Sequence, residues 1–175
     1  IHVDPDDWVD PTMLEELYVK AIDQDADMVI CDYYEDYTDK SIYIKQEPSS
    51  LETDIVLKEH FKKLHGSCCN KLIRRSCYER YNVSFPLDLT CNEDLYVCVS
   101  LLKHPITVAY LPKAFYHYVK LNANAYSATM SERHKVDIRF NVDLTVDFLQ
   151  NKFGNELEKE IAFFKLNTKL PFLIT

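Results

Sequence analysis

Three carboxylates fall within four residues, Asp4, Asp6 and Asp7, in the run IHVDPDDWVD. Such close charges repel one another, so a fold keeps them cheaply only where they are solvated, cap a helix or hold a cation. A second acidic pair, Glu93 and Asp94, stands in LTCNEDLYV. There Asn92 is suited to cap a helix and the two acids would occupy its first turn, where they complement the helix dipole and are held by a rigid element. Between the two clusters lies GSCCNKLIRRSCY, in which a glycine precedes a mixed apolar and basic strand and Asn70, Lys71 and Arg74 are candidates to face a ligand.

The elements that must position these groups alternate between strand and helix. Ile1 to Val3 reads as the end of a buried strand leading into the acidic segment, with Asp4 and Asp6 on extended chain around Pro5. A helix follows from about Pro11 to Asp23. Asp10 can cap it, Pro11 suits its first position, and Leu14, Leu17, Tyr18, Ala21 and Ile22 form its apolar face. Met28 to Tyr34 is a short apolar run typical of a core strand, and residues 35 to 50 suggest an exposed hairpin. Thr53 can cap a helix to about Leu64, with Val56, Leu57, Phe61 and Leu64 inward. In the helix after Asn92, Leu95, Cys98, Val99 and Leu102 share a face. Ile106 to Leu111 and Ala114 to Val119 read as two strands divided by Pro112, the second carrying His117 between two tyrosines. From Ser131 the pattern is helical, with Val136, Phe140, Leu144 and Phe148 recurring every fourth residue, and a further helix covers about 155 to 167.

Composition narrows the function classes. The 175 residues are 47% hydrophobic with only two glycines, enough for a real core. A net charge of -8 and a pI near 5.2 argue against a nucleic-acid surface, which needs clustered Lys and Arg. No apolar run approaches the roughly 18 to 20 residues of a spanning helix. The six cysteines show no CxxC pair or zinc-like spacing and read as reduced, cytoplasmic thiols.

Taken in order, VDPDDW, ADMVICDYY, NKLIRR, FPLDLTCNEDLYV and VAYLPKAFYHYV with a nearby Ser127 resemble family 2 glycosyltransferases of the bacterial polysaccharide-building kind, over about residues 1 to 128. The resemblance implies a GT-A-like α/β fold, a mixed sheet flanked by helices, with residues 1–128 as its acceptor-binding half and 129–175 as a C-terminal helical appendage. It implies an inverting transferase taking a nucleotide-sugar donor and a glycan or lipid-linked saccharide acceptor; the expected compartment is the cytoplasm, the inner face of the membrane included. Asp4 and Asp6 match its motif for Mn²⁺ or Mg²⁺ and diphosphate, Asp7 and Trp8 continue that motif as substrate contacts, and Asp94, beside Glu93, matches its catalytic base. His117 corresponds to a further metal or phosphate partner in some relatives. The family's motif is preceded by a nucleotide-binding half, so the chain is expected to be part of a longer enzyme, inactive alone and prone to self-association through its first strand.

Two other readings compete. A strand ending in Asp-x-Asp also opens haloacid-dehalogenase-type phosphatases, but that pattern wants Thr or Val two positions after the second Asp, where Trp8 stands. The remaining alternative is a module that binds a glycan or a partner without catalysis.

Overall fold

The computed structural model describes residues 1–87, 93–120 and 132–173; Asn92, Cys91 and Ser127 lie outside the described residues. The elements run in the order β1 (Trp8–Val9), α1 (Met13–Asp23), β2 (Met28–Asp36), β3 (Ser41–Ile44), α2 (Thr53–Glu59), β4 (Lys71–Ile73), α3 (Arg75–Arg80), α4 (Glu93–Leu102), β5 (Val108–Val119), α5 (Glu132–Phe153), a 3₁₀ turn (Gly154–Leu157) and α6 (Glu158–Leu173).

Among the described residues, five strands form one mixed sheet in the order β1-β5-β2-β3, with β4 paired to β2. Of these pairs, β2 with β5 is parallel and the others are antiparallel. The period-2 alternation of β2 sends Met28 and Ile30 to one face and Val29 and Cys31 to the other. On the first face they pack with Val56 and Leu57 of α2, Leu101 and Leu102 of α4, Val142 and Leu149 of α5 and Ile161 of α6. On the second they pack with Met13 and Leu17 of α1 and with Phe115 and Tyr116 of β5. Helices therefore cover both faces, as expected for an α/β sheet. Val56, Leu57, Phe61 and Leu64 are all buried, but α2 ends at Glu59 and not near Leu64, so Phe61 and Leu64 reach the core from the turns that follow the helix; β3 is the exposed arm of a hairpin with β2.

Several local expectations are corrected. Ile1 to Val3 lie outside the sheet, and the first strand is Trp8–Val9, paired to β5. The unpaired strand from which self-association was expected is thus not found at that place. Asp10 does not cap α1 through its side chain: the N-cap is Thr12, and Met13 N–H bonds the Asp10 backbone carbonyl at 3.0 Å. The apolar face of α1 narrows to Met13 and Leu17, one turn apart, while Leu14, Tyr18 and Ile22 are more than half exposed.

The two strands divided by Pro112 are one. Cys31 pairs with Leu111, Asp32 with Ala114 and Tyr33 with Tyr116, so β5 accommodates Pro112, Lys113 and Phe115 as extra residues in a bulged stretch. Proline has no N–H for a ladder, and a bulge is where a long strand tolerates it.

In α5 the buried residues are His134, Asp137, Ile138, Asn141, Val142, Thr145, Val146 and Leu149, whereas Val136 and Phe140 are exposed. A strict four-residue repeat drifts about 40° per step around a 3.6-residue helix, so it cannot stay on one face for three steps. The five described cysteines, Cys31, Cys68, Cys69, Cys77 and Cys98, are free and buried. Among the described residues, no helix is long and apolar enough to cross a membrane.

Candidate active site

Asp4 to Asp7 form a tight turn closed by Asp7 N–H on the Asp4 carbonyl at 3.1 Å, with Pro5 at its second position, where its fixed φ is favourable. The segment is therefore bent, not extended as expected. Tyr116, fully buried on β5, holds the turn from beneath: its hydroxyl donates to Asp7 Oδ2 at 2.5 Å and accepts the Asp4 N–H at 3.2 Å. Val119 N–H adds a 2.8 Å bond to Asp7 Oδ1. Both Asp7 oxygens are tied to β5, which makes Asp7 the brace of the turn and leaves Asp4 and Asp6 as its exposed acids.

The second acidic pair comes to the same place. Partial burial pushes the Asp4 carboxyl above its usual range, and the charges of Asp7, Asp94 and Asp6 push it further. Glu93 is raised likewise, first by burial, then by Asp94, Asp4 and Asp137. The fold thus gathers acids from the turn, from the first turn of α4 and from α5 into one negative cluster. Asp94 is clamped: Ser67 Oγ–H donates to its Oδ2 at 2.8 Å and Cys68 N–H to the same oxygen at 3.1 Å. Both bonds fall on Oδ2, so Oδ1 takes no part in this clamp.

The residues expected to face a ligand in the central motif are engaged with the protein. Lys71 is fully buried, and its three ammonium protons go to the carbonyls of His65 (2.7 Å) and Ser67 (2.6 Å) and to Asn70 Oδ1 (2.8 Å). Asn70, also fully buried, donates from Nδ2 to the Cys31 carbonyl at 2.7 Å. Arg74 pairs with Asp25 at 2.7 Å and Asp27 at 3.3 Å and bonds the Ala26 carbonyl, fastening the start of β2 to β4.

His117 is held on all sides. Its ring stacks on Trp8 at 3.5 Å between centroids and on Tyr34 at 4.7 Å, each its register partner across the sheet. Nδ1 meets Asp36 Oδ2 at 3.0 Å, and Nε2 faces Asp10 Oδ1 at 3.9 Å. Its nitrogens turn to Asp36 and Asp10, the arrangement of a structural histidine. Trp8 keeps about half of its surface exposed beside the acidic turn.

A hard divalent cation suits the acids of the turn: the donors are carboxylate oxygens, and their mutual repulsion is what a cation would relieve. Among the described residues no group of three or more His, Cys, Asp or Glu side chains is arranged to hold a metal alone. Asp4 and Asp6 would therefore share such an ion with oxygens from a bound ligand and water.

Sequence reasoning passed over Ser67, Cys68 and His65, and saw Tyr116 only as one of the two tyrosines flanking His117. Their roles arise from partners far along the chain, which no local spacing announces. His65 lies in the loop that leads to the clamp; its Nδ1 accepts Ser67 N–H at 3.2 Å, and its own N–H bonds Gln46 Oε1. Burial, followed by the charges of Lys71 and Lys120, pushes its imidazole down to about 4. Between its ordinary value near 6.5 and about 4, the unfolded chain takes up a proton that the folded chain refuses. Stability therefore falls by about 3 kcal/mol as pH drops through that window and levels off below it. His65→Asn, which keeps an acceptor for Ser67, should remove this part of the acid sensitivity. Urea midpoints at pH 7 and pH 4.5 check it, and equal declines for both proteins would count against it.

Comparison with known proteins bears on the family and the fold. The Glycosyl transferase family 2 pattern matches residues 1–81. Over 123 residues the chain is 30% identical to EpsH of Bacillus subtilis (strain 168), and over 126 residues it is 29% identical to EpsJ of the same organism; both carry glycosyltransferase names. Each match covers 66% of this chain and 36% of the relative, so the chain spans about a third of the length of the curated relatives it matches. Among solved structures, S. aureus TarS 1-349 in complex with UDP-GlcNAc superposes with a TM-score of 0.66 at 17% identity, covering 97% of this chain and 48% of that one. A further structure of S. aureus TarS 1-349 superposes with a TM-score of 0.59 at 16% identity, covering 97% of this chain and 46% of that one. At these identities the structures establish a shared fold, the GT-A fold.

Proposed function

We propose that this chain, whose residues 1–81 match the glycosyl transferase family 2 pattern, supplies the metal arm, the catalytic base and part of the acceptor wall of an inverting, nucleotide-sugar-dependent glycosyltransferase. The observation that carries the reading is that the fold brings Asp4 and Asp94, far apart in sequence, near enough for the charge of Asp94 to act on Asp4, with Asp94 held by Ser67 and Cys68. A nucleoside-diphosphate sugar as donor is supported by the fold shared with TarS, whose complex holds UDP-GlcNAc.

The division of labour follows from the contacts. Asp94, fixed through Oδ2, takes the proton of the acceptor hydroxyl as that oxygen attacks the anomeric carbon, and a single in-line displacement inverts the configuration there. Glu93 lies one residue away and adds negative charge at the helix mouth. Asp4 and Asp6 would hold Mn²⁺ or Mg²⁺, which when bound offsets the charge that develops on the leaving diphosphate. Asp7 and Tyr116 keep the two donors aimed, and Trp8 offers the stacking face. A glycan or lipid-linked saccharide is the acceptor class, and the compartment is the cytoplasmic side of the membrane.

Two carboxylates leave most of the coordination shell to water, so Mn²⁺ alone should bind with a Kd of about a millimolar and much more tightly with a nucleoside diphosphate present. Titration calorimetry on the full-length protein and on its Asp4→Ala, Asp6→Ala double variant checks this; equal affinities would remove the pair from the metal site. In parallel, nucleoside diphosphate release from a panel of nucleotide sugars with Mn²⁺ tests the activity. Steady release lost in Asp6→Ala is the expected result, and no release from any donor under these conditions would favour a binding module instead.

A further inference from the structure

We propose that Lys71 is a positioning residue for the base: its buried ammonium orients Asp94 through the single peptide group that joins Ser67 to Cys68. The inference rests on the assignment of Asp94 as base. On one side of that peptide the Ser67 carbonyl accepts from Lys71 Nζ at 2.6 Å. On the other side the Cys68 N–H donates to Asp94 Oδ2 at 3.1 Å. A cation, one amide and an anion stand in line. A positive charge on the carbonyl side polarises the amide and makes its N–H a stronger donor toward the carboxylate, as hydrogen bonds in a chain reinforce one another.

The surroundings make the arrangement rigid. The remaining two protons of Lys71 bind the His65 carbonyl and Asn70 Oδ1, so one ammonium closes the loop from 65 to 70 at both ends. Asn70 fastens that loop to β2 through the Cys31 carbonyl. Gly66 lets it approach α4 closely: a Cβ built there would lie 3.2 Å from Leu95 Cδ1, beside the very turn that carries Asp94. All three bonds of Lys71 go to neutral oxygens, a costly way to bury a cation. Its nearest acidic beneficiary across a bonded path is Asp94.

A double-mutant cycle in the full-length protein separates this role from plain stabilisation. Lys71→Gln keeps two N–H donors without the charge and should lower kcat about tenfold or more while leaving KM for the nucleotide sugar unchanged. In an Asp94→Asn background the same change should have almost no further effect, because both act through one carboxylate. In Lys71→Ala, n-propylammonium chloride, which replaces the missing stem and charge, should restore part of kcat where potassium chloride at equal ionic strength does not. If either variant fails to fold, the other carries the comparison against Asp94→Asn.

An effect of Lys71→Gln that persists in Asp94→Asn, a change confined to KM, or kcat within twofold of wild type would overturn the proposal, as would loss in Lys71→Ala that the amine leaves untouched. Full turnover in Asp94→Asn alone would instead refute the assignment of the base, a distinguishable result.

Discussion

Asp94→Asn in the full-length protein lowers turnover by about a hundredfold or more and leaves nucleotide-sugar affinity nearly intact, the signature of losing a group that acts in the transition state. The geometry makes the substitution clean. The Asn carbonyl oxygen can accept the Ser67 hydroxyl and the Cys68 amide just as Oδ2 does, so the side chain keeps its place. What then occupies the position of Oδ1 is an NH₂ group, a donor that cannot take a proton. Steady-state kinetics beside calorimetric binding of the donor separates the two quantities. Turnover close to wild type would transfer the role to Glu93 or end the mechanism.

Asp32→Ala costs the fold about 3–5 kcal/mol, the largest stability loss expected of any single polar change in this sheet. Asp32 is almost wholly buried at the point where β2 and β5 change register. Its oxygens accept the Tyr110 hydroxyl at 2.8 Å, the Tyr43 hydroxyl and the Gln46 N–H at 2.5 Å. One carboxylate therefore joins β2, β3, β5 and the segment after β3, and its removal leaves two hydroxyls and an amide without their acceptor. Asp32→Asn, which keeps one acceptor oxygen, should lose less. Urea denaturation of the two variants measures the order, and a loss below about 1 kcal/mol in Asp32→Ala would show the network to be dispensable.

Much of the fold was legible because local pattern and tertiary demand agree there. The apolar run of β2, the inward set of α2 and the acidic first turn of α4 are each specified by neighbours within a turn or two. Where a residue answers to a distant partner, the local pattern misleads. Pro112 reads as a break, yet a bulge in a long strand absorbs it. Lys71 reads as a ligand-facing charge because lysines seldom enter a core, and only three converging oxygens explain its burial. Asp7 reads as one more acid of a cluster, while Val119 and Tyr116 make it a brace. Of the candidate site, the order of the motifs pointed to Asp4 and Asp94, but nothing in the spacing of either brings them near each other.

The bulge in β5 also bears on how chains of this kind tolerate gain and loss of residues. Between Leu111 and Tyr116, β5 advances five positions while β2 advances two, from Cys31 to Tyr33. The surplus is odd, so the phase of the strand's distal half is set by the number of residues in this short stretch and not by their identities. Deleting one would exchange the outlooks of Tyr116 and His117, turning the hydroxyl that braces the acidic turn to the far side of the sheet and sending the imidazole into the apolar layer beneath α1. A substitution at Pro112 or Lys113 alters one side chain, whereas a one-codon deletion there rewires both ends of the strand's work at once. Chain length at that point is thus a coded quantity, and homologous chains should vary in the chemistry of the bulge far more freely than in its parity.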